Sequence, residues 1–186
     1  MKRGFDFVVA LLALFLFAIP MVGVAVAIAL TSRGPVLYWS GRMGQDNQSF
    51  EMPKFRSMRI DTPAVATHLL ANPERYLTPI GSFLRKTSLD ELPQLWSILT
   101  GDMSLVGPRP ALTNQHDLIG CRTAAGVHRL TPGLTGWAQI NGRDEIPLLE
   151  KVRFDTEYLQ RRSFAFDLKI MMLTVIKVIR RDSVTH

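Results

Sequence analysis

Two adjacent acids, Asp90 and Glu91, lie in a part of the sequence that is rich in cationic side chains. Arg85 and Lys86 come just before them, and Arg109 follows in a Gly-Pro-Arg-Pro sequence. Nearby cations keep a carboxylate ionised, and cations at a helix N-terminus collect phosphate oxygens. Both properties are needed when a carboxylate attacks a phosphoryl group, so the grouping favours this chemistry.

The attack of one anion on another requires that their charges be screened. A divalent cation that bridges a carboxylate and a phosphate oxygen provides this screening, and Mg2+ prefers oxygen ligands. Adjacent side chains on a helix point about 100° apart, so Asp90 and Glu91 cannot flank one bond as the two acids of a glycosidase do. We therefore expect separate roles, one nucleophile and one metal ligand, with Mg2+ as the cofactor.

A structural explanation competes for the same acids. Ser88 to Glu91 match the S-x-x-E capping box, and acids at a helix N-terminus are favoured by the helix dipole. Apolar residues then follow at helical spacing, and these are Leu92, Leu95, Trp96 and Leu99. Pro93 favours Asp90 as the cap, because proline loses no hydrogen bond only in the first turn. The sequence thus predicts a helix that begins here and ends at Gly101.

Other basic residues occur in two motifs away from the acids. Lys54, Arg56 and Arg59 form a run of charges, which is usually a solvated surface, and this interpretation stays open. Farther along, "TPGLTGWAQINGR" ends in Arg143, directly after an Asn141-Gly142 pair that is typical of a hairpin turn. Such a turn would hold Arg143 in a defined place.

An apolar segment runs from Phe7 to Leu30 without a charged residue, which is long enough for the roughly 20 residues of a membrane span. Pro20 lies near its middle and predicts a bend. Basic residues flank both ends, and these are Lys2, Arg3, Arg33 and Arg42. Because basic flanks stay on the cytoplasmic side, a helix that bends at Pro20 and returns satisfies both. A spanning helix is the alternative, since proline is tolerated in such helices.

The rest of the chain is long enough for one core. The net charge of +6 suggests anionic partners, and the single Cys121 excludes an internal disulfide and a multi-cysteine zinc site. Residues 34–58 alternate apolar and polar side chains around turn residues and predict a β-hairpin. The tail, residues 154–181, ends in a basic helix that could lie on an anionic membrane surface or pack into the core.

Taken in order, these motifs resemble bacterial sugar transferases, the monotopic phosphoglycosyl transferases that start polyprenol-linked glycan assembly. The resemblance rests on the apolar segment with its proline, "KFRSM", "LRKTSLDELPQLWSILTGDMSLVGPRP", "TPGLTGWAQINGR" and "FDTEYL…DLKI". It implies an α-rich α+β fold with a small antiparallel sheet and amphipathic surface helices. Residues 1–30 would form a re-entrant membrane helix broken at Pro20, and residues 31–186 a cytosolic catalytic domain. The family often has Ser-Pro at the break, where this chain has Ile19-Pro20.

The resemblance also implies an activity. A sugar 1-phosphate would pass from a nucleoside diphosphate sugar, usually a UDP-sugar, to undecaprenyl phosphate with release of UMP, as the first membrane step of glycan biosynthesis. Asp90 would be the nucleophile that carries a covalent phosphosugar, and Glu91 would hold Mg2+ beside it. Lys54, Arg109 and Arg143 match basic family positions that engage phosphate or nucleotide.

The remaining expectations concern further residues and partners. Asp155 and Asp167 match acidic family positions near the substrate, and Arg85 joins the site by its proximity to the acids in the chain. The protein would lie on the cytoplasmic face of the bacterial inner membrane, against anionic lipids of the inner leaflet. We expect no nucleic-acid partner, and the apolar segment could support a homodimer. The sequence does not specify the sugar.

Two alternatives to the covalent enzyme remain at this point. A membrane-tethered protein could use the same basic face to bind anions without chemistry. An enzyme with a sequential mechanism could use Asp90 only to activate the lipid phosphate. Both alternatives keep the acids among the cations, and they differ in whether a phosphosugar becomes attached to the protein.

Overall fold

The computed structural model describes residues 2–63, 72–142 and 146–180, with a small amount of sheet and many helices. The α-rich α+β class is confirmed. The elements in chain order are α1 (Lys2–Thr31), β1 (Leu37–Met43), β2 (Ser49–Phe55), α2 (Gly81–Thr87), α3 (Leu95–Thr100), β3 (Ser104–Val106), α4 (His116–Ala124), β4 (Gly133–Thr135), α5 (Trp137–Asn141), α6 (Leu148–Arg161) and α7 (Phe164–Arg180).

The first helix, α1, is long and apolar enough to cross a membrane. Its middle is exposed, with Ile19 showing 85% of its surface, whereas Ala10 and Ile28 nearer the ends are fully buried. The helix continues through Pro20 as one element, so the proline does not divide it into two helices, contrary to the predicted break. A helix can keep its regular form beyond a proline while one backbone bond is lost. The re-entrant path stays a prediction.

Polar contacts fasten both ends of α1 to the same folded body. At the start, Lys2 Nζ donates to Val106 O at 2.9 Å and pairs with Asp167 at 2.6 Å. At the end, the Arg56 guanidinium donates to the carbonyl oxygens of Ser32, Arg33 and Pro35. Arg56 is only 5% exposed. A solvated surface, the interpretation left open for its charge run, is therefore wrong for Arg56, which satisfies carbonyls at a helix end.

The predicted hairpin is confirmed. Strands β1 and β2 pair antiparallel from Leu37 opposite Phe55 to Met43 opposite Ser49. A short 3-10 turn, Gln45–Asn47, joins them. Lys54 lies near the end of β2, opposite Tyr38.

The segment "TPGLTGWAQIN" has a different structure from the predicted hairpin turn, which is wrong. It contains β4, which pairs parallel with β3, followed by the short helix α5. Its glycines are needed for close backbone approach: a Cβ on Gly133 would lie 2.0 Å from Gly107 N, and one on Gly136 would lie 2.1 Å from Gly107 O. Hydrogen bonds from Gly107 N to Thr135 O and from Gly133 N to Pro108 O, both at 2.9 Å, hold the start of the Gly-Pro-Arg-Pro segment against β4.

One apolar core joins α1 to the helical part of the molecule. Its buried members include residues of α1, α3, β3, α6 and α7, among them Ala10, Ile98, Val106, Tyr158 and Ile170. Helix α1 shares this core with the rest of the molecule. The division of the chain into residues 1–30 and residues 31–186 stays a prediction.

Helix α7 has two apolar faces. Phe166 and Ile170 are buried, whereas Leu168, Met172 and Val175 are exposed at helical spacing. Core packing accounts for the first face only.

Candidate active site

A short 3-10 helix, Leu89–Gln94, carries Asp90 and Glu91. It follows directly on α2, because Ser88 adopts a left-handed conformation with φ 56° and turns the chain sharply. Within the described chain Ser88 holds the cap position and its side chain makes no capping hydrogen bond. Both predicted caps, the Ser88 capping box and the Asp90 cap, are therefore wrong. The helix predicted from this point is a 3-10 turn that leads into α3, and Gly101 does end α3.

Three separate segments bring cations to these acids. Lys54 Nζ from β2 donates to Glu91 Oε1 at 3.3 Å, and Arg109 Nη2 donates to the same oxygen at 2.7 Å. Arg85, from the last turn of α2, lowers the pKa of Asp90 through its charge. The structure thus brings together five residues that the sequence predicted for the site.

Burial and charge give the two acids different ionisation. Burial, together with the neighbouring Glu91 charge, raises the pKa of Asp90 to about 6, against the opposing charges of Lys54, Arg85 and Arg109. Burial alone would also raise the pKa of Glu91, but Arg109 and Lys54 hold it well below its usual range. Glu91 is the fixed anion of the pair and Asp90 is the one that titrates near neutrality. Such a split is consistent with the separate roles that the sequence predicts for the two acids.

Burial also lowers the pKa of Lys54, with Glu91 opposing the change and Arg109 adding to it. The cations of the site are therefore themselves close together and partly removed from water. A bound phosphate would add negative charge among them, which is favourable in such a place. The arrangement can hold a phosphorylated anion beside a carboxylate that is able to act as a nucleophile.

The predicted residues Asp155 and Asp167 lie in other ion pairs. Asp155 Oδ2 pairs with Arg122 at 2.7 Å, and burial raises the pKa of Asp155 although Arg122 opposes the change. Asp167 pairs with Lys2 and accepts a hydrogen bond from the Tyr158 hydroxyl at 2.7 Å. Direct contact of either acid with substrate stays a prediction. Arg143 lies outside the described residues, and Pro20 lies in the exposed middle of α1.

Sequence reasoning missed two arginines next to the site. Arg42 from β1 lowers the pKa of Lys54 through its charge and donates to Pro110 O at 3.1 Å. Arg122 from α4 donates to Arg109 O at 2.8 Å. Neither residue lies in a motif that predicts such a contact. The alternation of the hairpin could have placed Arg42 on a face of the sheet, but not beside Pro110.

The site fits the predicted Mg2+. Among the described residues no group of three or more His, Cys, Asp and Glu side chains gathers to form a complete metal site. Mg2+ commonly keeps several waters and takes one or two carboxylates together with substrate phosphates. Asp90 and Glu91 offer such a partial set, and the low pKa of Glu91 keeps it ionised as a ligand must be.

The structure thus combines an α-rich fold, a long apolar helix, and a site in which two acids meet several cations. The model of the bacterial sugar transferase family matches residues 1–181. The chain therefore belongs to the bacterial sugar transferase family, as its motifs indicated.

Several curated relatives are similar over nearly the whole chain. The chain is 43% identical to the UDP-glucose:undecaprenyl-phosphate glucose-1-phosphate transferase of Escherichia coli (strain K12), over 95% of this chain and 40% of that protein. It is 41% identical to the undecaprenyl-phosphate glucose phosphotransferase of Komagataeibacter xylinus, over 94% of this chain and 35% of that protein. It is 39% identical to the uncharacterized sugar transferase EpsL of Bacillus subtilis (strain 168), over 99% and 90%. The chain thus spans well under half of the first two relatives.

Proposed function

We propose that this chain transfers a sugar 1-phosphate from a UDP-sugar to undecaprenyl phosphate and releases UMP. One observation carries the proposal: Asp90, with a pKa raised to about 6, lies beside a Glu91 that Arg109 and Lys54 keep ionised. The names of relatives support the substrate classes. They include both glucose and galactose transferases, so the sugar is not part of the proposal.

The mechanism begins with an ionised Asp90. Its carboxylate oxygen attacks the phosphorus that bears the sugar, the bond from this phosphorus to the bridging oxygen breaks, and UMP leaves with the electron pair. An oxygen of undecaprenyl phosphate then attacks the same phosphorus and breaks its bond to Asp90. The products are the lipid diphosphate sugar and a regenerated carboxylate.

The cations and Glu91 support both steps without forming covalent bonds. Arg109 and Lys54, both hydrogen-bonded to Glu91, lie where the charge of a transferred phosphoryl group would be neutralised. Glu91 and Asp90 are the residues that would hold Mg2+, which supplies charge screening of the phosphates when bound. Because Arg109 and Lys54 hold the pKa of Glu91 well below its usual range, Glu91 stays ionised and keeps these cations oriented while Asp90 changes its bonding.

Exposed apolar surface supports a place at the membrane. The middle of α1 is exposed, and so are Phe83 on α2, Trp96 on α3 and Met172 on α7. Both ends of α1 are fastened to one body, which fits a helix that enters the inner leaflet and returns. Lys169 and Lys177 on α7 add positive charge for anionic lipid. A lipid phosphate stays at this interface, so an active site there would meet its acceptor.

The test is to trap the covalent intermediate. Purified protein is mixed with Mg2+ and UDP-sugars labelled in the sugar, first without and then with undecaprenyl phosphate. We expect one equivalent of UMP and a label on the protein at Asp90 without lipid, and discharge of the label when lipid is added. Asp117→Asn, which changes an exposed acid on α4, should label normally.

Two other outcomes would each select an alternative. Release of UMP that requires lipid, with no label on Asp90, would indicate that Asp90 only activates the lipid phosphate. No UMP release from any UDP-sugar with lipid present, while the protein still binds anionic vesicles, would indicate an anion-binding protein without catalysis.

A further inference from the structure

The Arg122 guanidinium divides its donors between a buried carboxylate and a backbone carbonyl oxygen. Its Nε and Nη2 atoms both donate to Asp155 Oδ2, at 2.9 and 2.7 Å, while Nη1 donates to the backbone carbonyl of Arg109 at 2.8 Å. Arg122 comes from α4 and Asp155 from α6, and both side chains are buried. A planar guanidinium with several fixed donors can serve two acceptors in this way, whereas an ammonium has no such geometry.

The carbonyl that Arg122 binds belongs to the residue that reaches the acids. From the same residue, Arg109 Nη2 donates to Glu91 Oε1 at 2.7 Å. Prolines on both sides restrict the backbone of the segment. Pro108 O accepts a hydrogen bond from Gly133 N at 2.9 Å, and Pro110 O accepts one from Arg42 at 3.1 Å. Three consecutive carbonyls are thus each held by a different part of the fold.

A buried ion pair needs a reason beyond stability. Removing two charges from water costs free energy that their attraction only partly offsets, so apolar side chains often stabilise the same place as well or better. In its effect on the pKa of Asp155, burial outweighs the opposing charge of Arg122. What the pair supplies, and apolar side chains could not, is a hydrogen-bond donor held in a fixed direction toward Arg109 O.

We propose that Arg122 and Asp155 are positioning residues for Arg109: Asp155 orients the Arg122 guanidinium, and Arg122 holds the Arg109 backbone so that its side chain reaches Glu91. Asp155 then affects the reaction from a distance and not by touching substrate. The positioning stands on contacts within the protein. Only its consequence for turnover rests on the proposed function.

The positioning is tested by nuclear magnetic resonance of 15N-arginine-labelled protein in detergent, where Arg109→Lys assigns the Arg109 side-chain signal. Arg122→Lys keeps the positive charge but loses the planar guanidinium with its several fixed donors. We expect this change to move or broaden the Arg109 signal. Glu157→Gln is the matched control, because it breaks a more exposed pair with Arg161 on the same helix as Asp155. An unmoved Arg109 signal in Arg122→Lys would overturn the proposal, even if the protein became less stable. If Arg122→Lys does not fold, Asp155→Asn serves as the second variant with the same expectation.

The consequence for turnover is tested by a double-mutant cycle on UMP release. Arg122→Lys should lower turnover about tenfold in the wild-type background, since displacement of a catalytic cation is costly. In the Arg109→Lys background the same change should cost less than about twofold, because its route of action is already lost. An equal loss in both backgrounds would contradict positioning through Arg109. If the wild type releases no UMP, the proposed function fails while the resonance experiment still decides the positioning.

Discussion

Asp90 and Asp155 are both buried acids, with 8% and 1% of their surface exposed, but they have different neighbours. Asp155 accepts hydrogen bonds from two nitrogens of Arg122, at 2.9 and 2.7 Å. Asp90 shares its cations with Glu91, and Glu91 takes the direct hydrogen bonds of Lys54 and Arg109. An acid with its own buried partner is fixed in place. One that shares its partners keeps the freedom to form a new bond.

The two regions also differ in backbone. Asp155 lies within the regular helix α6, whereas Asp90 lies in a 3-10 turn entered through the left-handed Ser88. Left-handed conformations of residues other than glycine cost free energy and often occur at functional sites. The comparison predicts that changes near Asp90 alter activity first, and that changes near Asp155 alter stability first.

The largest effect is expected from Asp90→Asn, which removes the nucleophile. Turnover measured by UMP release should fall by on the order of 10³-fold or more, and the melting temperature should not fall. Asp117→Asn provides the control for an exposed acid. Retention of turnover within tenfold of the wild type would remove Asp90 from the covalent step.

The next effect is expected from Glu91→Gln. The loss of charge weakens the hydrogen bonds from Arg109 and Lys54 and the proposed metal ligand, so turnover should fall about 10²-fold and stability by about 2 kcal/mol. The pKa of Glu91 is lowered on folding. Ionised Glu91 therefore contributes to the free energy of unfolding above its unfolded pKa, and this contribution is lost as the pH falls. Urea unfolding at pH 7 and at pH 3 should therefore show a smaller difference between variant and wild type at pH 3.

Asp155→Asn should lower stability strongly and turnover only modestly, which is the reverse of what is expected for Asp90→Asn. It leaves the Arg122 charge buried beside a neutral amide, so the free energy of unfolding should fall by about 3 kcal/mol, while turnover falls only about tenfold. Urea unfolding and UMP release on the same preparation give both values. A variant that is as stable as the wild type but inactive would instead indicate that Asp155 touches the substrate.

The pH dependence should follow Asp90. The carboxylate attacks only when ionised, so turnover should rise with pH through about 6 and fall about tenfold for each pH unit below. In stability the sign is opposite. A pKa raised on folding contributes stability that is lost as the pH rises through about 6, so Asp90→Asn should gain stability relative to the wild type between pH 5 and pH 7. An equal stability difference between Asp90→Asn and the wild type at pH 5 and at pH 7 would contradict this.

The smallest effect is expected at Ser88, and it separates a strained turn from a helix cap. A left-handed serine costs about 1 kcal/mol relative to glycine, so Ser88→Gly should leave the protein as stable or up to about 1 kcal/mol more stable. A capping serine would lose stability on the same change. Chemical unfolding distinguishes the two, with Ser88→Ala as the comparison that retains the left-handed strain.

Local patterns predicted the parts of the fold that depend on neighbouring residues. The β1–β2 hairpin follows from alternation around a short turn, and α1 follows from an uncharged apolar run. The pairing of β3 with β4 was missed because it joins Ser104 to Gly133, and strands of three residues show no periodicity. The glycines of that region were misinterpreted for the same reason, since close approach to Gly107 depends on a distant segment.

The sequence by itself determined which kinds of group this protein carries: adjacent acids, several cations near them in the chain, and a long apolar helix. Only the tertiary structure decided which charges meet. It paired Glu91 with Arg109 and Lys54, placed the Arg56 guanidinium at the end of α1, and paired Asp155 with Arg122. The physical reason is that the type of a side chain is written locally, whereas the burial and partners of a charge depend on packing between segments far apart in the chain.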